Sequence, residues 1–293
     1  MNVAWIGAGV MGRSMAGHLL ARGHRVVVHS RTQSKAADLL AAGATWADSP
    51  AEAAAEAEVS VVMVGLPVEV DQVMAGPRGL LSGVRPGSLV VDMGTGAPAA
   101  AVAMAAACAA RGVGFLDAPV SGGDVGARNA TLTIMVGGDA DGFARALPLF
   151  EAMGRSVRRQ GPAGAGMQTK MVNQILIATT MIGLCEALVY ARRAGLDPAA
   201  VLESVGSGAA GSWSLANYGP RILAGDFAPG FRIDHFVKDL GLALADARRL
   251  RLALPGLALA EQLYVAAQAQ GLGANGTQAL WRVIDGLSPA PVS

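Results

Sequence analysis

Short runs of consecutive apolar residues alternate with alanine-rich stretches of helical spacing along the first half of the chain. Residues 3–6, 25–29, 59–65, 88–92 and 113–117 are β-branched and bounded by glycine, proline or charge. Runs of this kind predict strands buried on both faces of a parallel sheet. Between them, residues 11–22, 35–42, 51–57, 69–74 and 99–111 predict helices. Such alternation implies a doubly wound α/β sheet. Residues 131–136 and 156–159 are expected to add further strands.

The pattern changes near Gly161. From 168 to 194 the apolar spacing is helical and long, and 198–205, 213–223, 238–251, 258–267 and 278–284 continue helically. No strand is expected after about Arg159. The predicted organisation is a nucleotide-binding domain at 1–162, a long interdomain helix at 163–194 and an all-helical domain at 195–293. The tail after Leu287, with two prolines, is expected to fray.

A chain of 293 residues is comfortable for two domains, and 52% apolar residues supply their cores. The net charge is +1, with both signs interspersed, so nucleic acid is not expected as a partner. The segment 171–191 is the most apolar long stretch. It contains Asn173, Gln174 and Glu186 and follows Lys170, which favours a buried helix over a membrane span. No leader pattern is read at the start, so a cytoplasmic location is expected. Cys108 and Cys185 lie in apolar helical runs and read as reduced core residues. His18, His24, His29 and His235 are scattered without ligand spacing, so no metal site is expected.

The first predicted strand runs into Gly7-Ala8-Gly9-Val10-Met11-Gly12. This is G-x-G-x-x-G after a strand and before a helix, the context in which it is informative for a dinucleotide. Gly7 permits the tight turn, Gly9 lets backbone approach a pyrophosphate, and Gly12 lets helix pack on sheet. The fold class is therefore α/β with a Rossmann-type N-terminal sheet. The end of the second strand selects the cofactor. NAD sites place a carboxylate there, whereas this chain reads His29-Ser30-Arg31-Thr32, with Lys35 beyond and no carboxylate before Asp38. A guanidinium at Arg31 suits a 2′-phosphate, and Ser30 and Thr32 can donate to the same group. NADP is favoured, with NAD left open.

Three further segments belong with this one. Asp117-Ala118-Pro119-Val120-Ser121-Gly122-Gly123 follows a strand, Gly164-Ala165-Gly166-Met167-Gln168-Thr169-Lys170-Met171-Val172-Asn173 opens the long helix, and Lys238-Asp239-Leu240 lies in the helical domain after Phe231. The four motifs, in this order, resemble the β-hydroxyacid dehydrogenase family, which includes 3-hydroxyisobutyrate dehydrogenase, tartronate semialdehyde reductase and the glyoxylate/succinic semialdehyde reductases. The resemblance runs from about Asn2 to Ile284. It implies Lys170 as catalytic acid/base, with Asn173 one turn on. Ser121, Gly122 and Gly123 would hold a small carboxylate substrate, and Thr95 would sit beside the nicotinamide. Gly65, Leu66 and Pro67 would line the cofactor. Lys238 and Asp239 would close the cleft, with Phe231 nearby. Trp213 is either a specificity wall or a core anchor.

The chemistry agrees with that expectation. Ligands of open α/β sheets bind beyond the carboxyl ends of strands, where Gly7, Gly65, Thr95 and Ser121 fall. Reduction of a carbonyl builds charge on its oxygen, and a lysine on an apolar helix start is a suitable donor. The plainer alternative for Asp117 is to fix the Ser-Gly-Gly turn alone, and for Asn173 and Gln174 it is to cap or cross-link helices. Two departures from the family pattern stand out. Gly94 replaces the usual Ser, which would reshape the nicotinamide side, and His18 replaces a common Asn on what reads as the outer face of the first helix.

Related readings are weighed alongside. Imine reductases of the same architecture usually replace the lysine, which is retained here. The 6-phosphogluconate dehydrogenases need a carboxylate that Val172-Asn173-Gln174-Ile175 lacks. A non-catalytic NADP-binding module would not need both Lys170 and the Ser-Gly-Gly loop. The Arg31 pattern looks closest to the glyoxylate/succinic semialdehyde reductases, without separating them from the other members. A homodimer or homotetramer is expected from the apolar helical half.

Overall fold

Apolar runs placed side by side bury each other's faces, and they form the middle of one nine-stranded sheet in the computed structural model, which describes residues 1–288. They are β1 (Asn2–Ile6), β2 (Arg25–His29), β3 (Thr45–Trp46), β4 (Val59–Val62) and β5 (Leu89–Asp92), then β6 (Gly114–Asp117), β7 (Val120–Ser121), β8 (Leu132–Gly137) and β9 (Gly154–Gly161). The order is β3-β2-β1-β4-β5-β6-β8-β7, with β9 paired to β8. From β3 to β6 every pairing is parallel. The pairings of β8 with β6 and β7 are antiparallel, so the sheet is mixed but mostly parallel. The reversal in strand order falls between β1 and β4, where such sheets bind their ligands.

Alternation along each strand divides the core in two. Val3, Trp5, Val59 and Val61 join one apolar layer, and Ala4, Ile6, Val62 and Val90 join the other. Helices Val10–Ala21 and Ala140–Met153 supply Met15, Leu19, Leu149 and Phe150 to the first layer. Pro98–Ala109 supplies Ala101 and Cys108 to the second.

The chain divides into two compact units, Met1–Lys170 and a second beginning at Met171, the division falling inside the helix Ala165–Arg193. The second unit is all helical, with Pro198–Gly206, Trp213–Leu223, Ile233–Arg249, Pro255–Ala269 and Leu280–Gly286 following the long helix. Ala165–Arg193 is long and apolar enough to cross a membrane by length and composition, with a mean hydropathy of 1.6. In the second unit its Ala178, Met181, Cys185 and Leu188 are buried in a core with Phe236, Leu240 and Tyr264.

Several expectations need correction. The strand read at 59–65 stops at Val62, because the chain leaves the sheet there for the loop that enters the helix Pro67–Ala75. The helix read at 238–251 begins at Ile233 and ends at Arg249, and Arg251 adopts φ +57 beyond its end. The stretch read as a helix at 35–42 starts with a 3-10 turn, Gln33–Ala36. Helices Gly123–Arg128 and Ala140–Met153 are additions to the sequence reading. His18 is not on an outer face. Its Nε2 lies 2.9 Å from the Ala127 carbonyl oxygen and ties the first helix to Gly123–Arg128. The fraying expected after Leu287 concerns residues that, from 289 onward, lie outside the described residues.

Candidate active site

The nucleotide fingerprint is built by close backbone packing. Gly7 adopts φ +109, and a side chain there would overlap the Met63 carbonyl at the end of β4. Its N–H donates to the His29 carbonyl at the end of β2, 2.8 Å away. A side chain on Gly12 would overlap the Gly7 carbonyl, which already accepts the Trp5 indole N–H at 3.1 Å. Gly9, by contrast, faces open space at the start of the helix Val10–Ala21. Ala8 is buried and Met11 partly so, while Val10 is exposed. The loop thus combines two glycines required by packing with one that leaves its backbone approachable. That combination fits a dinucleotide pyrophosphate at a helix N-terminus.

At the end of β2, His29 is anchored by Nδ1 to the Ala47 carbonyl at 2.9 Å, and its ring tilts against Trp46. Ser30 is half-buried; Arg31, Thr32 and Lys35 project into solvent. Arg31 donates from Nη1 to Glu69 Oε1 at 2.8 Å. Glu69 Oε2 in turn accepts the N–H groups of Gly65 and Leu66 at 3.2 and 3.1 Å, which caps the helix Pro67–Ala75. Glu69 was not among the residues singled out by the sequence. Its signal is an acid three residues into a helix opened by proline.

Three loops converge on the start of the long helix. Asp117, wholly buried at the end of β6, accepts the Gly164 N–H on Oδ1 at 2.7 Å and the Met167 N–H on Oδ2 at 2.8 Å. Its carboxylate therefore holds the start of the helix rather than the Ser-Gly-Gly turn. Burial pushes this carboxyl above the ordinary carboxylate range, and the N–H donors of Gly164 and Met167 oppose the shift. The packing is close: a Cβ on Gly137 would stand 2.5 Å from Asp117 Oδ1. Gly96, next to Thr95 in the loop after β5, donates its N–H to Met167 Sδ at 3.3 Å. Gly94 donates its N–H to Asp92 at 2.9 Å, and a Cβ on it would lie 2.9 Å from the Val64 carbonyl. A serine at this position would meet that carbonyl, so the departure noted in the sequence is a close approach of backbone.

Lys170, 7% exposed, lies one turn beyond Met167 and donates from Nζ to the Val120 carbonyl at 2.9 Å. Val120 directly precedes Ser121. Gly122 and Gly123 then take φ +129 and +62, which turn the chain into the helix Gly123–Arg128. The Lys170 amine is thereby held at the residue that leads into the Ser121-Gly122-Gly123 turn, in the same unit as the fingerprint.

The second unit carries its own polar chain. Asn173 Nδ2 donates to Gln174 Oε1 at 2.8 Å, and Gln174 Nε2 donates to Asp239 Oδ2 at 2.5 Å. Lys238 Nζ stands 2.9 Å from Asp239 Oδ1. Gln174 and Asp239 are each 1% exposed, so the link crosses between the long helix and Ile233–Arg249 inside the core. The sequence read Gln174 as a cap or cross-link, and it is a cross-link. Phe231 packs on Phe236 and His235 just before that helix. Trp213 is 56% exposed at the start of its helix, edge-on to Tyr218, which removes the core-anchor alternative.

Comparison with known proteins agrees across the chain. Residues 2–161 match the NAD binding domain of 6-phosphogluconate dehydrogenase, and residues 164–284 match the NAD-binding domain of NADP-dependent 3-hydroxyisobutyrate dehydrogenase. A probable 3-hydroxyisobutyrate dehydrogenase-like protein of Arabidopsis thaliana, designated mitochondrial, is 49% identical over 99% of this chain and 87% of its own. The 3-hydroxyisobutyrate dehydrogenase of Pseudomonas aeruginosa is 39% identical over 96% of this chain and 98% of its own. Among solved structures, the Mycobacterium tuberculosis 3-hydroxyisobutyrate dehydrogenase with L-serine superposes with a TM-score of 0.87. It is 30% identical, over 96% of this chain and 98% of that one.

Proposed function

The chain belongs to the NAD(P)-dependent β-hydroxyacid dehydrogenase family that includes 3-hydroxyisobutyrate dehydrogenase, and from this premise we propose that it interconverts a small β-hydroxyacid, or another short hydroxyacid, and its semialdehyde or keto acid with NADP, using Lys170 as acid/base. The observation that carries the reading is the buried Lys170 amine, 2.9 Å from the Val120 carbonyl and beside the Ser121-Gly122-Gly123 turn.

When bound, a nicotinamide cofactor gives or takes the hydride of the reaction. Gly7, Gly9 and Gly12 would hold its pyrophosphate, and Thr95 with Gly65, Leu66 and Pro67 would flank the rest. Arg31, with Ser30, Thr32 and Lys35, would take the 2′-phosphate. The residues of this chain handle the proton and the carboxylate. In the reductive direction, negative charge grows on the carbonyl oxygen and Lys170 supplies the proton that yields the hydroxyl. In the oxidative direction the same amine removes it. The Ser121 hydroxyl and the N–H groups of the Gly122-Gly123 turn orient the substrate carboxylate. A serine-sized β-hydroxyacid is consistent with the L-serine named with the mycobacterial relative. Within the helical unit the family resemblance assigns Asn173 to catalysis, Phe231 and Asp239 to substrate and Lys238 to cofactor, and Trp213 would stand as a wall of the substrate site. A homodimer or homotetramer accords with the exposed Val172 and Leu176 on the long helix, and light scattering after gel filtration reads its mass.

The test is an absorbance assay at the NADPH band with glyoxylate and with succinic, tartronate and methylmalonate semialdehydes. It is run in reverse with 3-hydroxyisobutyrate and serine. Turnover with at least one pair is expected. Lys170→Ala should lower kcat by about 10²–10⁴-fold while leaving NADPH binding in place. Wild-type turnover in that variant would overturn the acid/base assignment.

A further inference from the structure

We infer that Glu69 is a specificity-determining residue that narrows the preference for NADP over NAD by competing with the cofactor's 2′-phosphate for Arg31. The inference rests on the assignment of Arg31 to that phosphate.

The end of β2 lacks the carboxylate that NAD sites place there. A carboxylate nevertheless reaches this region, from a different part of the sheet. Glu69 stands in the first turn of Pro67–Ala75, after β4, and its Oε1 takes the Arg31 guanidinium at 2.8 Å. Its placement is fixed. Oε2 accepts from both Gly65 and Leu66, and the Glu69 side chain is 21% exposed against 80% for Arg31. Of the two partners, the arginine is the one that can swing. A guanidinium offers a planar fork of donors, and one arm is already occupied by an anchored negative charge. A 2′-phosphate binding there must share the fork with that carboxylate or draw the arginine away from it. A ribose 2′-hydroxyl meets no such competition, because it is neutral. Arg31 therefore gives less discrimination in favour of the phosphate than its charge alone would.

The experiment is calorimetric titration of the intact protein with 2′,5′-ADP and 5′-AMP, and with NADPH and NADH, at low ionic strength. Glu69→Gln keeps an oxygen for the Gly65 and Leu66 N–H groups and removes the charge. It should tighten 2′,5′-ADP and NADPH by about two- to fivefold, the range of one exposed ion pair, and leave 5′-AMP and NADH unimproved. Glu69→Ala should move the same ratio in the same direction, which guards against an effect peculiar to the amide. Unchanged or weakened 2′-phosphate ligands in both variants, with Arg31→Ala weakening them, would overturn the role of Glu69 alone. If Arg31→Ala left 2′,5′-ADP binding intact, the Arg31 assignment would fall and the inference with it. In the Arg31→Ala background the gain from Glu69→Gln should vanish; its persistence would overturn competition for the arginine.

Discussion

Asp117 offers the sharpest test of how the lysine-bearing helix is held. Replacing it by alanine leaves the Gly164 and Met167 N–H groups buried without their acceptor. An orphaned buried donor costs about 1–3 kcal/mol, so the pair implies a loss of about 2–6 kcal/mol, a large share of a typical domain's stability. Asparagine is the more informative change. It retains one carbonyl oxygen and turns an NH2 toward the second donor, so one of the two bonds is lost. It also removes a carboxyl that burial disfavours in its charged form, which offsets part of that loss. The expected net cost is about 1–2 kcal/mol. Because Lys170 is one turn past Met167, loosening the helix start displaces the amine from the Val120 carbonyl. A misplacement of about 1 Å is worth up to ~10²-fold in rate. The assay is hydrogen exchange of a peptide covering residues 162–171, alongside urea unfolding and steady-state kinetics. Exchange in Asp117→Asn should rise in that peptide with little change in β1 or β2, and kcat should fall about 10–100-fold with NADPH binding kept. Wild-type exchange and turnover in this variant would refute the account.

Further expectations follow from the packing and the titrating groups. Gly12→Ala forces a methyl against the Gly7 carbonyl and should cost about 1–3 kcal/mol with loss of nucleotide affinity, read by thermal melting and calorimetry. Cys108 and Cys185 are buried, and burial raises the Cys108 thiol to about 11 and the Cys185 thiol further. A disulfide reagent at pH 8 should therefore label neither until the protein is unfolded, when both react. His235 is held below its ordinary 6.5 by burial and then by Lys238, with Asp239 and Asp234 opposing and Arg232 assisting. The unfolded chain takes this proton first, so stability present above 6.5 is lost as pH falls through the lower folded value. His235→Gln should flatten that slope in denaturant unfolding measured across the window.

What could be read from sequence followed from local periodicity. The strand read at 25–29 and the helix read at 213–223 show clear patterns and stand where the pattern puts them, and the strand read at 3–6 gains one residue at Asn2. Ala140–Met153 carries Pro148 inside it, which interrupts the helical signal, while Asp139 caps the start by accepting the Gly142 N–H. Val120–Ser121 and Gly123–Arg128 are too short and glycine-rich to register. In the site, the motifs were visible and the partners that their residues take across the fold were not. Arg31 meets Glu69, 38 residues along the chain, and Asp117 meets an amide 47 residues on. His18 faces inward because of a carbonyl 109 residues away. Pairings at such separations leave no periodic trace.

The two ends of the sheet bear on how the protein behaves in a crowded solution. One end is β3, only two residues long. The other is β9, which among the described residues pairs only with β8 and exposes Arg155, Arg158 and Arg159. An open strand is a template on which foreign backbone can add, and brevity and like charge both discourage such growth. The arginines would repel one another if two copies met edge to edge, so the nucleotide-binding half is guarded against fibrous association by its own borders. Neutralising them would place that guard at risk while leaving the chemistry at the centre of the sheet untouched.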